Sequence, residues 1–202
     1  MTTLSKTLLR SMLVALFAAL ALPLSAHAAP DAPSLYDFTQ RFTDQDGKAV
    51  TLAKLGEGHP VLVTMFYGTC PAACPLLINR MKRIEAKLTP AQRENLRVVL
   101  VSFDPARDTV AALKQLQVAH GVDTSRWSFL RTEDTGAVRE LSAVLGIKYR
   151  FLANGAINHS SVITSLAPDG TLTGRMESLS ASDDSVLLAL QKAQPGPVAS
   201  TR

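Results

Sequence analysis

The order of apolar and polar positions along the chain predicts alternating strands and helices. Residues 60–67 and 97–103 are continuous apolar runs rich in strand-forming side chains, a pattern typical of buried strands. Between them, apolar residues recur at a helical period over residues 75–88. Strand, helix and strand form a βαβ unit of normal size, for which a right-handed crossover is expected.

Turn residues predict a hairpin on either side of this unit. Asp46-Gly47 indicates a hairpin near the N-terminus, and residues 168–170 (Pro-Asp-Gly) indicate another near the C-terminus. The four predicted hairpin strands are residues 38–42, 49–52, 161–166 and 171–176. Antiparallel hairpins beside a parallel βαβ unit make the predicted sheet a mixed one.

Further helices and one short strand complete the predicted elements. Residues 127–130 form the strand. Two of the predicted helices end just before a glycine, one before Gly121 and the other before Gly146. The predicted helices are residues 110–120, residues 135–145 and about ten residues after residue 184. This is a thioredoxin-like arrangement, so the predicted fold class is α/β, with a central mixed sheet, flanking helices and an N-terminal hairpin extension.

The first 28 residues are predicted to be a cleavable signal peptide. Lys6 and Arg10 give a positive start, residues 12–24 form an apolar run, and residues 26–28 (Ala-His-Ala) match a cleavage pattern. The run is shorter than the roughly 20 residues that a membrane span needs. We therefore expect export, into a bacterial periplasm, with an uncleaved membrane anchor through residues 12–24 as the alternative.

The rest of the chain is predicted to be one domain, residues 29–194, followed by a flexible tail, residues 195–202. Of 202 residues, 47% are hydrophobic and 19% are charged, which argues against a disordered protein. Removing Lys6 and Arg10 with the signal peptide leaves 19 basic against 17 acidic residues, a charge of +2. A nearly neutral body with 5% aromatic residues argues against nucleic acid as the main partner.

Cys70 and Cys74 are the two cysteines of the chain, and export would carry them into an oxidising compartment. A disulfide between them closes a loop of three residues, and so short a loop stabilises a fold very little. A chemical role is therefore favoured over an inert structural pair. Both cysteines follow the first buried strand, at the end of an open α/β sheet where ligands bind.

The start of the following helix sets the chemistry expected of the two sulfurs. Pro75 suits the first helical position, which places Cys74 at or beside the N-cap. There the exposed N–H groups and the helix dipole favour thiolate over thiol. Two such sulfurs can form a disulfide or bind one soft metal ion. The third intervening residue favours metal, and both chemistries remain open.

A third metal ligand would have to be one of the three histidines that remain after removal of the signal peptide, which contains His27. His59 lies at the far end of the first buried strand, roughly 20 Å away, and His120 ends a helix. His159 follows a polar, glycine-containing loop, residues 154–158, which we expect to be mobile enough to approach the cysteines. At this point His159 is equally a ligand or a loop histidine. Two cysteines and one histidine suit copper, whereas structural zinc would want a fourth ligand.

Three motifs resemble those of the Sco/SenC copper proteins. Residues 69–75 (Thr-Cys-Pro-Ala-Ala-Cys-Pro) are similar to the family's cysteine motif, and residues 102–109 (Ser-Phe-Asp-Pro-Ala-Arg-Asp-Thr) to its second signature. Residues 158–160 (Asn-His-Ser), followed by Gly170, resemble the third. The motifs occur in the family's order and spacing, and together they are specific although each alone is weak.

The resemblance implies a thioredoxin-like fold that binds one copper ion through Cys70, Cys74 and His159. It implies a metallochaperone whose partner is the copper-site subunit of cytochrome c oxidase or another copper chaperone. The task would be delivery of copper to the binuclear copper centre, or action on the thiols of that centre. It also marks Asp104 as a possible near-site residue. Asn158 departs from the acidic residue that the family commonly has before the histidine, and the usual membrane anchor is replaced by a segment that resembles a cleavable signal.

Two other functions remain as alternatives, so whether the protein is an enzyme stays open. A thiol–disulfide oxidoreductase would use Cys70 and Cys74 to keep client cysteines reduced or to signal the redox state. A peroxidase-like enzyme would need an arginine and a threonine near an activated cysteine. The sequence gives no sign of that grouping around Cys70, so the peroxidase ranks last.

Overall fold

The computed structural model describes residues 34–70 and 73–193. After a short 3-10 helix at Leu35–Asp37, the strands are β1 (Phe42–Asp44), β2 (Ala49–Val50), β3 (Val61–Phe66), β4 (Arg97–Ser102), β5 (Trp127–Arg131), β6 (Tyr149–Phe151), β7 (Ile157–His159), β8 (Ile163–Leu166) and β9 (Leu172–Met176). The helices are α1 (Leu52–Gly56), α2 (Ala73–Ala86), α3 (Pro90–Asn95), α4 (Val110–His120), α5 (Thr135–Val144) and α6 (Asp184–Lys192).

Seven strands form one sheet in the order β2-β1-β5-β4-β3-β8-β9. The central strands β3, β4 and β5 are parallel, whereas β1, β8 and β9 pair antiparallel with their neighbours. Strands β6 and β7 form a separate antiparallel pair. The predicted α/β class, a thioredoxin-like mixed sheet with flanking helices and an N-terminal hairpin, is confirmed.

The core lies along the two strands of the βαβ unit. All six residues of β3 are buried, and so are five of the six residues of β4. Helix α2 packs on the sheet through Leu77, Ile78, Met81 and Ile84, each at most 1% exposed. Burying side chains of this size stabilises the fold by about 1.5 to 3 kcal/mol each. This packing fixes the end of β3 and the start of α2, where the two cysteines lie.

Some predicted boundaries are wrong. Helix α2 begins at Ala73 rather than at Pro75, so Pro75 is its third residue. Proline is tolerated there because the first N–H groups of a helix have no intrahelical partner. In the N-terminal hairpin, the first strand is β1 rather than residues 38–42, and the second ends at Val50 because Thr51 caps α1.

Sequence patterns also missed three elements, the short helices α1 and α3 and the β6–β7 hairpin. Thr89 and Gln92 form a capping box at the start of α3, a signal that was available in the sequence. The β6–β7 hairpin has strands of three residues and pairs Tyr149 with His159. The prediction that His159 follows a mobile loop is therefore wrong, because His159 is the last residue of a paired strand.

Several predictions fall outside the described ranges. These are the signal peptide at residues 1–28 with its apolar run 12–24, and the tail at residues 195–202. Within residues 34–70 and 73–193, none of the helices has the length and apolar character needed to cross a bilayer.

Candidate metal centre

The two cysteines lie side by side where β3 leads into α2. The turn after β3 is closed by a hydrogen bond from the Cys70 N–H to the Tyr67 carbonyl, at 3.2 Å. Cys74 is the second residue of α2, and its backbone N–H donates to the Cys70 Sγ at 3.3 Å. Both side chains are buried, at 9% and 4% exposure.

His159 presents one specific ring nitrogen to the cysteines. Its Nδ1 lies 3.1 Å from the Ser160 carbonyl oxygen, and because a carbonyl only accepts, Nδ1 carries the proton. Nε2 is therefore unprotonated in the neutral ring, and it lies 3.8 Å from the Cys74 Sγ. The ring packs against Phe103 and Tyr67, with centroid distances of 5.1 and 5.8 Å.

The ligand atoms of Cys70, Cys74 and His159 all lie within 4.8 Å of one another. Metal–ligand bonds of about 2.0 to 2.3 Å would put the atoms of a three-coordinate site roughly 4 Å apart. The observed cluster needs little adjustment to reach that spacing. The structure thus brings together the three residues named from the sequence, and they could hold one metal ion.

Burial controls the protonation of the cluster. It raises the pKa of the Cys74 thiol, outweighing the opposing hydrogen bond from the Tyr67 backbone, and the nearby Cys70 and Asp108 raise it further. This effect of burial opposes the thiolate predicted from the helix start, and in the metal-free protein it favours the protonated thiol of Cys74. Burial lowers the pKa of His159, and the Ser160 carbonyl offsets only part of that effect.

Asp104, predicted near the site, is not among the clustered ligand groups of the described residues. Its side chain is buried, its carboxylate pairs with the Arg107 guanidinium, and its backbone N–H donates to Ser102 Oγ at 2.9 Å. A carboxylate held by an arginine in this way has a structural partner already. Asp104 therefore lies beside the site without joining the cluster.

Sequence reasoning missed Asp108, which fixes the turn before the cysteines. Both of its carboxylate oxygens lie 3.0 Å from the Gly68 backbone N–H, and the Ser102 hydroxyl donates to one of them. Burial raises the pKa of Asp108, and these hydrogen bonds oppose the effect. An added Cβ at Gly68 would lie 2.5 Å from the Asp108 Oδ1, so glycine is needed for this close approach. The signal was present, because Asp108 belongs to the second motif.

The two other histidines lie elsewhere, as predicted. His59 Nδ1 hydrogen-bonds with Asn95, 2.7 Å from its Oδ1, at the opposite end of β3. His120 is the last residue of α4, and its carbonyl accepts a hydrogen bond from Lys82 at 2.8 Å. Neither histidine is in the cluster of ligand groups found in the described ranges.

An arginine and a threonine do lie beside the cysteine turn, contrary to expectation. Thr69 and Arg107 line one cavity of about 290 Å³ together with Asp108. Two nitrogens of the Arg107 guanidinium are engaged, Nε with Asp104 and Nη2 with the Gly155 carbonyl. The grouping that a peroxidase would use is thus present in part, with its arginine bound to other groups.

Comparison with known proteins gives consistent matches. The family model described as SCO1/SenC matches residues 29–193. The "SCO1 protein homolog" of Bacillus subtilis (strain 168) is 27% identical over 131 residues, covering 64% of this chain and 67% of its own. A Stutzerimonas stutzeri protein, named as a candidate copper-binding protein, is 30% identical over 119 residues, covering 55% of this chain. The match spans 56% of the length of that protein.

Solved structures of the same fold include two Sco proteins. A SCO1/SenC family lipoprotein from Bacillus anthracis has a TM-score of 0.70 at 20% identity, covering 82% of this chain and 99% of its own. ScoI of Bradyrhizobium japonicum, with copper bound, has a TM-score of 0.60 at 21% identity, and the match covers 81% of this chain and 99% of ScoI. Likeness at this level of identity establishes the fold.

Proposed function

The chain belongs to the SCO1/SenC family, and from that premise we propose that it is an exported copper-binding metallochaperone. Its cargo is one copper ion, held by Cys70, Cys74 and His159. The observation that carries the proposal is the convergence of these three ligand atoms within 4.8 Å. Export into a periplasm is supported by the signal-like residues 1–28.

The client we propose is the copper-site subunit of cytochrome c oxidase, with another copper chaperone as the second possible partner. This client follows from family resemblance, since the site chemistry specifies copper and not its destination. Delivery would either load the binuclear copper centre or prepare its thiols. A pull-down of oxidase subunits with the copper-loaded protein, compared with a Cys70→Ser variant, tests this partner.

The donor set fits copper in both oxidation states. Thiolate sulfur favours Cu(I), and imidazole nitrogen suits Cu(II). Cys70 already accepts a hydrogen bond from the Cys74 N–H, which stabilises negative charge on its sulfur. Cys74 must give up its proton when it binds the ion, whereas neutral His159 offers Nε2 directly. A structural zinc site would want a fourth protein ligand.

The test is copper binding by the purified mature protein in each oxidation state. The parent should bind one ion of either state. His159→Ala should keep most Cu(I) affinity, because two thiolates satisfy Cu(I), but should lose stable Cu(II) and its sulfur-to-copper absorption band. Cys70→Ser or Cys74→Ser should abolish both. His120→Ala is the matched control, since His120 lies outside the cluster, and it should bind as the parent does.

A thiol–disulfide oxidoreductase is the second candidate function. It is favoured by one observation, the 3.3 Å hydrogen bond from the Cys74 N–H to the Cys70 Sγ, which makes Cys70 the better nucleophile of the pair. In that case either serine variant would lose reductase activity toward a client disulfide, and His159→Ala would keep it. Absence of one-to-one copper binding by the parent would reject the metallochaperone in favour of this alternative.

A further inference from the structure

We propose that Arg107 is a positioning residue that holds His159 at the copper site. It does so from the segment of residues 102–108, which contacts both arms of the site, the turn before Cys70 and the hairpin that ends at His159. This inference rests on the proposed copper-binding function and concerns how this chain builds that site. Arg107 itself does not belong to the cluster of ligand groups.

The segment holds the cysteine arm through Asp108. The Asp108 carboxylate accepts the Gly68 N–H at 3.0 Å from both of its oxygens, and it also accepts the Ser102 hydroxyl. Ser102 in turn accepts the N–H of Asp104 at 2.9 Å. These hydrogen bonds fix the segment and the turn relative to each other, two residues before Cys70.

The same segment holds the histidine arm through two different contacts. The Phe103 ring packs on His159 and on Tyr149, with centroid distances of 5.1 and 4.8 Å. Arg107 Nη2 donates to the Gly155 carbonyl at 2.7 Å, in the turn of the β6–β7 hairpin, while its Nε pairs with Asp104. Glycine is favoured at position 155 for two reasons. Its φ of +79° lies in the left-handed region, and an added Cβ would lie only 3.3 Å from Arg107 Nη1.

The hairpin depends on such contacts because its backbone pairing does not join it to the main sheet. Among the described strands, β6 and β7 pair with each other alone. The Arg107 hydrogen bond therefore links the turn of the hairpin to a buried, ion-paired anchor at the end of β4. Loss of this link should let His159 move relative to the cysteines, while Asp108 still holds the cysteine arm.

The predicted consequence is a selective loss of Cu(II). Partners outside the ligand set that orient a ligand change metal affinity by about 10- to 100-fold when they are removed. Because the histidine matters chiefly for Cu(II), Arg107→Met should lower Cu(II) affinity by at least about tenfold and leave Cu(I) affinity nearly unchanged. Arg107→Lys keeps the charge but cannot contact Asp104 and the Gly155 carbonyl at the same time, as the guanidinium does. Its Cu(II) affinity should therefore lie between those of the parent and Arg107→Met.

The experiment compares Arg107→Met, Arg107→Lys and a matched control, Arg150→Met. Arg150 is an exposed cation on the same hairpin, and its side chain makes no hydrogen bond or ion pair with the residues described here. The Arg150→Met variant should bind Cu(I) and Cu(II) as the parent does. Since Arg107→Met leaves the buried Asp104 carboxylate unpaired, the double variant Asp104→Asn/Arg107→Met is included, and it should show the same Cu(II) loss as Arg107→Met alone.

Amide hydrogen exchange of the copper-free proteins provides a second readout. Arg107→Met should speed exchange in residues 149–159 and leave β3 and β4 unchanged. Equal loss of Cu(I) and Cu(II), unchanged Cu(II) affinity, an equal effect of Arg150→Met, or unchanged exchange in the hairpin would each overturn the inference. If the parent binds no copper, the proposed function fails, and the exchange measurement still decides whether Arg107 holds the hairpin.

Discussion

At the scale of single residues, Cys74 combines burial with a chemistry that requires charge. The thiol lies in the first turn of α2, where backbone N–H groups and the helix dipole favour negative charge. Removal of solvent acts in the opposite direction and is the larger effect, so the pKa of the thiol is raised. Burial thus favours the protonated sulfur in the absence of a bound cation.

Copper affinity should therefore rise with pH. Below the raised pKa of Cys74, binding releases at least that one proton, so the apparent affinity should increase by about tenfold per pH unit for each thiol proton released. His159, with a pKa lowered by burial below its ordinary 6.5, adds a competing proton only in more acidic solution, where the slope should steepen. Titration against a competing chelator between about pH 5 and 8 measures both slopes.

Two controls belong to this prediction. Measured with Cu(I), which this variant should still bind, His159→Ala should keep the slope set by Cys74 and lose the steepening in acid. A pH-independent affinity for the parent between about pH 6.5 and 8 would mean that the Cys74 proton has already left, contrary to the effect of burial.

The motifs predicted which three side chains lie together, but not the residues that hold them in place. Residue type marks Cys70 and Cys74 as ligands for a soft metal, whereas His159 was singled out from the other histidines by the third motif. Arg107 and Asp108 lie in the second motif, but their roles depend on which backbone groups lie opposite, Gly155 and Gly68. The first contact joins residues separated by 48 positions in the sequence and the second by 40, so neither leaves a local sequence pattern.

At the scale of elements, a buried ion pair fastens the far end of α2 to the sheet. Glu85 pairs with Arg126 and accepts the Trp127 indole N–H at 3.2 Å. Arg126 and Glu85 are 10% and 12% exposed, so solvent screens their attraction weakly. The helix that carries Cys74 at its first turn is thus held by this pair near its last.

Glu85→Ala should destabilise the protein by about 1 to 3 kcal/mol, because it leaves the Trp127 indole N–H buried without a partner, whereas Arg126 keeps Asp123 and the Arg93 carbonyl. Glu85→Gln keeps an acceptor and should cost less. Glu57→Ala is the matched control, since the Lys54–Glu57 pair is 78% and 62% exposed and should contribute under about 1 kcal/mol. Urea unfolding measures all three, and an equal effect of Glu85→Ala and Glu57→Ala would contradict the prediction.

Element by element, long apolar strands were predictable and short strands were not. Strands β3 and β4 are buried nearly throughout, so each is a continuous apolar run. Strands β6 and β7 have three residues each, Tyr-Arg-Phe and Ile-Asn-His, too few to establish an alternation. Their pairing replaces a predicted loop, and with it the expected mobility of His159.

At the scale of the whole molecule, the site joins segments that are 85 residues apart in sequence. The βαβ unit and the C-terminal hairpin were predictable, because each is set by neighbouring residues. The position of β1 beside β5 was not predictable, since the two strands pair residues that are 86 and 88 positions apart, through backbone groups that every sequence has. The relative placement of the cysteine turn and the histidine hairpin belongs to the same class of long-range information.

Copper loading should therefore stabilise the folded protein against heat. An ion that binds only the folded state adds about 2.7 kcal/mol at one hundred times its dissociation constant. For a chain of this size that corresponds to a rise in Tm of roughly 5 to 10 °C. Calorimetry with Cu(II) should show the rise for the parent and little of it for His159→Ala, and an equal rise in both would remove His159 from the Cu(II) site.

Strands β6 and β7 pair apart from the main sheet, so His159, the proposed third ligand, lies on an element that can be altered separately. Because the two strands of this hairpin pair with each other, substitutions in them break no backbone hydrogen bond of the seven-stranded sheet. The cysteines, by contrast, are built into the central βαβ unit and cannot vary independently of it. For protein engineers, residues 149–159 are thus the natural cassette in which to change metal preference while retaining the scaffold.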